Sequence, residues 1–74
     1  MIKIKYIVTE HGDFAIFTAL SSHDDVARSL HGKPVGAGFC HIENGKFVCN
    51  GTSFSLSLAS RGLEDSIIIN KCLL

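Results

Sequence analysis

Cys40 and Cys49 stand at equal distances on either side of Asn44-Gly45 in the stretch FCHIENGKFVC, residues 39–49. Two thiols so placed can hold a metal, close a disulfide, cycle as a redox pair or simply pack. Asn-Gly suits a two-residue type I′ hairpin turn, because both central positions need positive φ. Counting outward from that turn sets Glu43 against Lys46, Ile42 against Phe47 and Cys40 against Cys49. The pair beside the turn is hydrogen-bonded and the character then alternates. The cysteines therefore form a non-hydrogen-bonded pair with Cα atoms about 4.5 Å apart, at the short end of disulfide geometry. Ile42 and Phe47 share their face, and free cysteine is among the most buried residue types, so packed thiols are the expectation. A disulfide under oxidation and a metal site are the alternatives. Zinc requires four ligands, yet His41 alternates to the opposite face and no CxxC or HxxxH spacing occurs. Cys72, next to Leu73 and Leu74, is expected to pack. No metal and no cofactor are expected.

The remaining polar groups read as local structure. SSHDD, residues 21–25, contains the residue types of a hydrolytic triad, but triad members meet through the fold, and adjacent helical residues diverge. Ser22 is instead expected to cap a helix whose first turn carries Asp24 and Asp25. His11 falls in a turn, His23 in a first helical turn and His31 at a helix end, so none is assigned a catalytic role. GKPVGAGF, residues 32–39, lacks the GxxxxGK-Ser/Thr order of a phosphate-binding loop. Its Gly36 and Gly38 alternate with Cys40 on one face. They leave a shallow end that the first helix is expected to fill, with a ligand in the gap as the alternative.

The elements that position these groups follow from periodicity. Ile2, Ile4, Tyr6 and Val8 alternate with Lys3 and Lys5, predicting a half-buried strand over residues 2–8. FAIFTA, residues 14–19, predicts a second strand. A tight turn at His11-Gly12 then pairs Val8 with Ala15 and Tyr6 with Phe17. A helix follows with Val26 and Leu30 as its apolar stripe and Gly32 at its end, and Pro34 forbids continuation. Strands are predicted at 35–43, 46–49 and 52–58. A second Asn-Gly turn at 50–51 sets Phe47 against Phe54, with Leu56 and Leu58 on the same face and Ser53, Ser55 and Ser57 away from it. The tail could be strand through Ile67–Ile69, but Ser60, Glu64 and Asp65 are helix-start signals, and helix is preferred. The predicted fold is α+β: one small domain spanning residues 1–74, an antiparallel sheet of about five strands in the order β-β-α-β-β-β-α, covered by one or two short helices. A small SH3-like barrel is the alternative.

Seven basic and seven acidic residues cancel, so the excess positive charge that drives phosphate-backbone binding is missing. Nucleic acid is thus an unfavoured partner. Lysines at every second position of the opening segment break the apolar run a signal peptide needs, and no stretch approaches the ~20 apolar residues of a bilayer span. The expectation is a cytoplasmic protein without membrane contact, where three cysteines read as thiols. A 46% hydrophobic content is rich for 74 residues, so part of the apolar surface is expected to be shared between chains. The leading functional expectation is a non-catalytic interaction module or accessory subunit that forms a homo-oligomer, most simply a dimer, or meets an unknown protein partner. Val35, Phe39 and Val48, with Ile7, Phe14 and Ile16 of the first hairpin, form the expected surface. The alternatives are a nucleic-acid-associated regulator using Lys3, Lys5, Lys33, Lys46 and Arg61, and third a thiol- or metal-dependent activity at Cys40 and Cys49.

Overall fold

The computed structural model describes residues 3–73, so Ile2 at the start of the first predicted strand and Leu74 at the end of the tail lie outside the described residues. The chain forms β1 (Ile4–Thr9), β2 (Phe14–Thr18), α1 (His23–Ala27), β3 (Pro34–Glu43), β4 (Lys46–Asn50), β5 (Thr52–Ser53), β6 (Leu58–Ala59) and α2 (Leu63–Leu73). The fold is α+β. Four antiparallel strands make one sheet in the order β2-β1-β3-β4, and β5 with β6 makes a separate two-stranded hairpin. The main sheet is open, ending in β2 on one side and β4 on the other, which sets it apart from the barrel alternative.

The hairpin about Asn44-Gly45 has the expected register: Glu43 pairs with Lys46, Ile42 with Phe47 and Cys40 with Cys49. Asn44 at φ 51 and Gly45 at φ 78 give the turn its two left-handed positions. The first hairpin is offset by one residue from the expected register. Val8 pairs with Phe14 and Tyr6 with Ile16, because the loop has three residues, Glu10, His11 and Gly12. The Gly12 amide bonds the Thr9 carbonyl at 3.0 Å, Thr9 N–H bonds the Asp13 carbonyl at 2.8 Å, and Gly12 sits at φ 82, the left-handed residue that a three-residue loop requires. A one-residue offset turns every side chain of β2 to the other face.

One face of the sheet therefore carries Ile4, Tyr6, Val8, Phe14, Ile16, Cys40, Phe47 and Cys49. The core forms where Ile69 of α2 meets Tyr6, Val8, Cys40 and Cys49. The other face carries Ile7 and Ala37, both fully buried, with Lys5, Phe17 and Phe39, against which α1 lays His23. The two helices thus sit on opposite faces. The shallow end at Gly36 is filled by Asp65 of α2, whose carboxylate occupies the place of a Cβ, and at Gly38 by the Asn50-Gly51 backbone, rather than by the first helix.

α1 keeps its expected cap, with Ser22 Oγ accepting from Asp25 N–H at 3.2 Å, but it ends at Ala27. Leu30 lies beyond it, because Ser29 N–H and its hydroxyl both turn back onto the Val26 carbonyl and close the last turn. The largest departure is at residues 52–58. At the second Asn-Gly only Gly51, at φ 82, is left-handed, so Asn50 stays in β4 and no type I′ turn forms. The chain forms β5, a turn closed by Ser57 N–H on the Phe54 carbonyl, and β6. Ser53 is buried and its hydroxyl accepts from Leu56 N–H, while Phe54 is 91% exposed. The serine–hydrophobe alternation is inverted at this pair, because a hydroxyl that closes a turn is buried more readily than an aromatic that has no facing strand, whereas Leu56 and Leu58 are half-buried and Ser55 and Ser57 exposed, as expected. The tail is helical, as its acidic start implies.

Candidate functional site

α2 is seated by a polar cluster buried beneath its first turn. Asp65, fully buried, accepts from Arg61 N–H at 2.9 Å, from Arg61 Nε at 2.7 Å and from the Tyr6 hydroxyl at 2.5 Å. Ser60 Oγ lies 2.6 Å from the Tyr6 hydroxyl; a phenol has one proton, so with that proton on Asp65 the serine hydroxyl supplies the other hydrogen. Burial, reinforced by the carboxylate beside it, pushes the Tyr6 hydroxyl far up, which keeps it a donor wherever the fold exists. No buried side-chain nitrogen or oxygen among the described residues lacks a hydrogen-bond partner, and this cluster ties the first turn of α2 to β1.

The same helix closes the edge of β4. The Asn70 side chain accepts from Phe47 N–H at 2.9 Å and donates to the Phe47 carbonyl at 3.0 Å, as a neighbouring strand would. Ser66 Oγ accepts from Cys49 N–H at 2.9 Å and donates to the Gly62 carbonyl at 2.9 Å. Between β4 and α2 runs an open groove of about 1060 Å³. Phe47, Cys49, Leu63 and Ile67 line its apolar wall, and Lys46 and Lys71 stand beside Glu43 and Asn70. Leu63 is 77% and Ile67 55% exposed.

Cys40 and Cys49 are buried free thiols. Burial pushes the Cys40 thiol up to about 11, with the facing Cys49 adding to it, and burial raises Cys49 as well. Neither is poised as a thiolate. Cys72 is exposed, contrary to the packing expected from its leucine neighbours: seven residues after Asp65 it lies on the same side of α2, but the last turn, Lys71 to Leu73, is exposed throughout. His41 lies on the face opposite the cysteine pair and meets Glu43 at 2.8 Å. No group of three or more metal-ligating side chains is found among the described residues.

His23 is a buried residue that periodicity left unremarked. Its Nε2 donates to the Gly38 carbonyl at 2.8 Å, and its ring stands edge-on between Phe17 and Phe39, with centroids 5.3 and 6.0 Å away. Desolvation lowers its pKa; the Gly38 carbonyl opposes this and the Lys5 charge adds to it. A carbonyl only accepts, so the neutral ring carries its hydrogen on Nε2. The only sequence signal for this role was a histidine just after a cap, and it does not reveal which side the helix presents.

The expected interaction surface is divided. Val35, Phe39 and Val48 are half-buried on the α1 face, Ile7 on that face is fully buried, and Phe14 and Ile16 lie on the α2 face through the one-residue offset of the first hairpin. The basic residues are likewise dispersed. Lys3 sits 5.2 Å over the Phe39 ring and Lys5 bonds the Ser21 carbonyl, whereas Lys33 lies past the other end of β1 and Arg61 is engaged by Asp65 and Glu64. Lys46 lines the groove beside α2. The remaining edge, β2, pairs with β1 alone. Compared with known proteins, the chain matches no family model, no curated protein and no solved structure. What fold and surfaces define is a small open-sheet α+β domain, and among the described residues no helix is long and apolar enough to cross a membrane.

Proposed function

We propose that this protein is a non-catalytic interaction module that acts by associating with itself, most simply as a dimer. The observation that carries the reading is the unequal treatment of the two sheet edges: α2 covers β4 with side-chain hydrogen bonds, while β2 runs uncovered along the other side. Unpaired strand edges are templates for another strand, and a protein that guards one and leaves the other apolar and bare has an edge to fill. The groups that could do chemistry support the same reading, since the tyrosine, the aspartate, His23 and two of the three thiols are all consumed by internal packing or hydrogen bonds. A cytoplasmic setting belongs to the proposal, supported by two facing cysteines that remain thiols. Light scattering coupled to size exclusion tests it: over a concentration series the mass should rise above the 8.0 kDa of one chain. A mass of one chain at every concentration would overturn it.

A further inference from the structure

The exposed backbone of β2 has a defined pattern. Thr9 N–H bonds the Asp13 carbonyl, so Thr9 and Asp13 form a hydrogen-bonded pair, and alternation makes Ile7 with Ala15 and Lys5 with Phe17 the next bonded pairs. The backbone groups of Phe14, Ile16 and Thr18 therefore point away from β1. Among the described residues only the Thr18 carbonyl finds a partner there, the Ser21 amide at 3.2 Å. These outward groups are arranged evenly about Ile16, the middle residue of the strand.

We infer that β2 pairs antiparallel with β2 of a second copy about a two-fold axis at Ile16, joining two four-stranded sheets into one continuous eight-stranded sheet. The inference rests on the self-association proposed above and specifies its geometry. Ile16 exchanges two hydrogen bonds with Ile16 of the second copy; on either side Thr18 N–H donates to the Phe14 carbonyl, and Phe14 N–H donates to the Thr18 carbonyl's second lone pair, the first being held by the Ser21 amide. In this register Phe17 lies opposite Ala15 of the second copy, a large side chain against a small one, on the α1 face. On the α2 face the half-buried Ile16 side chains meet each other. FAIFT has no charge, no proline and no glycine, so none of the usual guards of a free edge is present and no like charges meet when the strand faces itself. Asp13, just before the strand, falls opposite Ala19 of the second copy. A second copy fits this edge, because the free groups are self-complementary about one residue and the uncharged strand can face itself. The closed β4 edge stops growth at two chains, giving a closed isologous pair rather than a filament.

Amide hydrogen exchange read residue by residue at two protein concentrations tests the geometry. The Ile16 and Phe14 amides should exchange at least about tenfold more slowly at a concentration where light scattering reports a dimer than after dilution to monomer. A dimer whose Ile16 amide exchanges equally fast at both concentrations overturns this geometry and leaves self-association standing; a single-chain mass throughout overturns both. The substitution Thr18→Pro provides a second reading. Thr18 is exposed and its N–H faces outward, so proline removes a bond to the second copy and none to β1. Thr18→Pro should keep the monomer's circular dichroism and give a one-chain mass at concentrations where the wild type is dimeric. A dimer undiminished in the folded variant would contradict the inference.

Discussion

Cys40 and Cys49 face each other across β3 and β4, and their chemistry is set by what lies above them: Ile69, Tyr6 and Val8 exclude water, and burial raises both thiols. A thiol reagent added to the folded protein should therefore label Cys72 quickly and leave the buried pair unreacted until denaturant is added; fast labelling of Cys40 or Cys49 in the fold would contradict this. His23 gives a pH-dependent term of definite sign. A histidine held below its ordinary 6.5 binds fewer protons folded than unfolded, so its stabilising effect is complete above that value and is lost as pH falls toward the depressed folded value. Denaturation midpoints should drop as pH falls below about 6.5, and His23→Gln should flatten that part of the profile; an unchanged profile in the variant would exclude the role. The cysteine pairing was legible in the sequence because an Asn-Gly turn and a period of two fix a register by counting. The burial of His23 was not, since one polar residue after a cap carries no signal of which neighbours will surround it.

Among the elements, α2 has the widest reach. It buries Ile69, plants Asp65 where Gly36 leaves room, and substitutes for a missing strand through Asn70. Asn70→Ala would leave Phe47 N–H and C=O without partners at a half-buried position. It should cost about 1–3 kcal/mol in equilibrium denaturation and should expose a second strand edge, raising the mass beyond that of the wild type at equal concentration. A variant as stable and as small as the wild type would show that the asparagine is not what closes the edge. The helix itself was legible from Ser60, Glu64 and Asp65, but its position over β4 was not, because the edge it covers exists only after the sheet has formed. The first hairpin shows a different limit. His11-Gly12 suits a two-residue turn, whereas Glu10 joins the loop and Gly12 alone takes positive φ. Both readings satisfy the same turn residues, and the alternation in FAIFT, apolar on both sides, cannot choose between them. At residues 52–58 the alternation holds from Ser55 to Leu58 and is reversed at Ser53 and Phe54, because the hydroxyl of Ser53 has a turn to close and Phe54 has no strand to face.

For the whole molecule, a sequence with 46% hydrophobic residues in 74 leaves more apolar surface than one layer of helix can cover, and Leu20, Phe54, Leu63 and Ile67 are all more than half exposed. That excess was readable from composition. Its distribution was not, because it depends on the first hairpin's offset, which moves Phe14 and Ile16 of the edge strand β2 to the α2 face. Self-association through that strand is the central claim. The most direct measurement mixes equal amounts of isotope-labelled and unlabelled chains, allows exchange, and weighs the intact species by native mass spectrometry. The account predicts a mixed species midway in mass between the two pure dimers, with Thr18→Pro giving single chains of 8.0 kDa under the same conditions. Single chains alone in the wild-type mixture would contradict it.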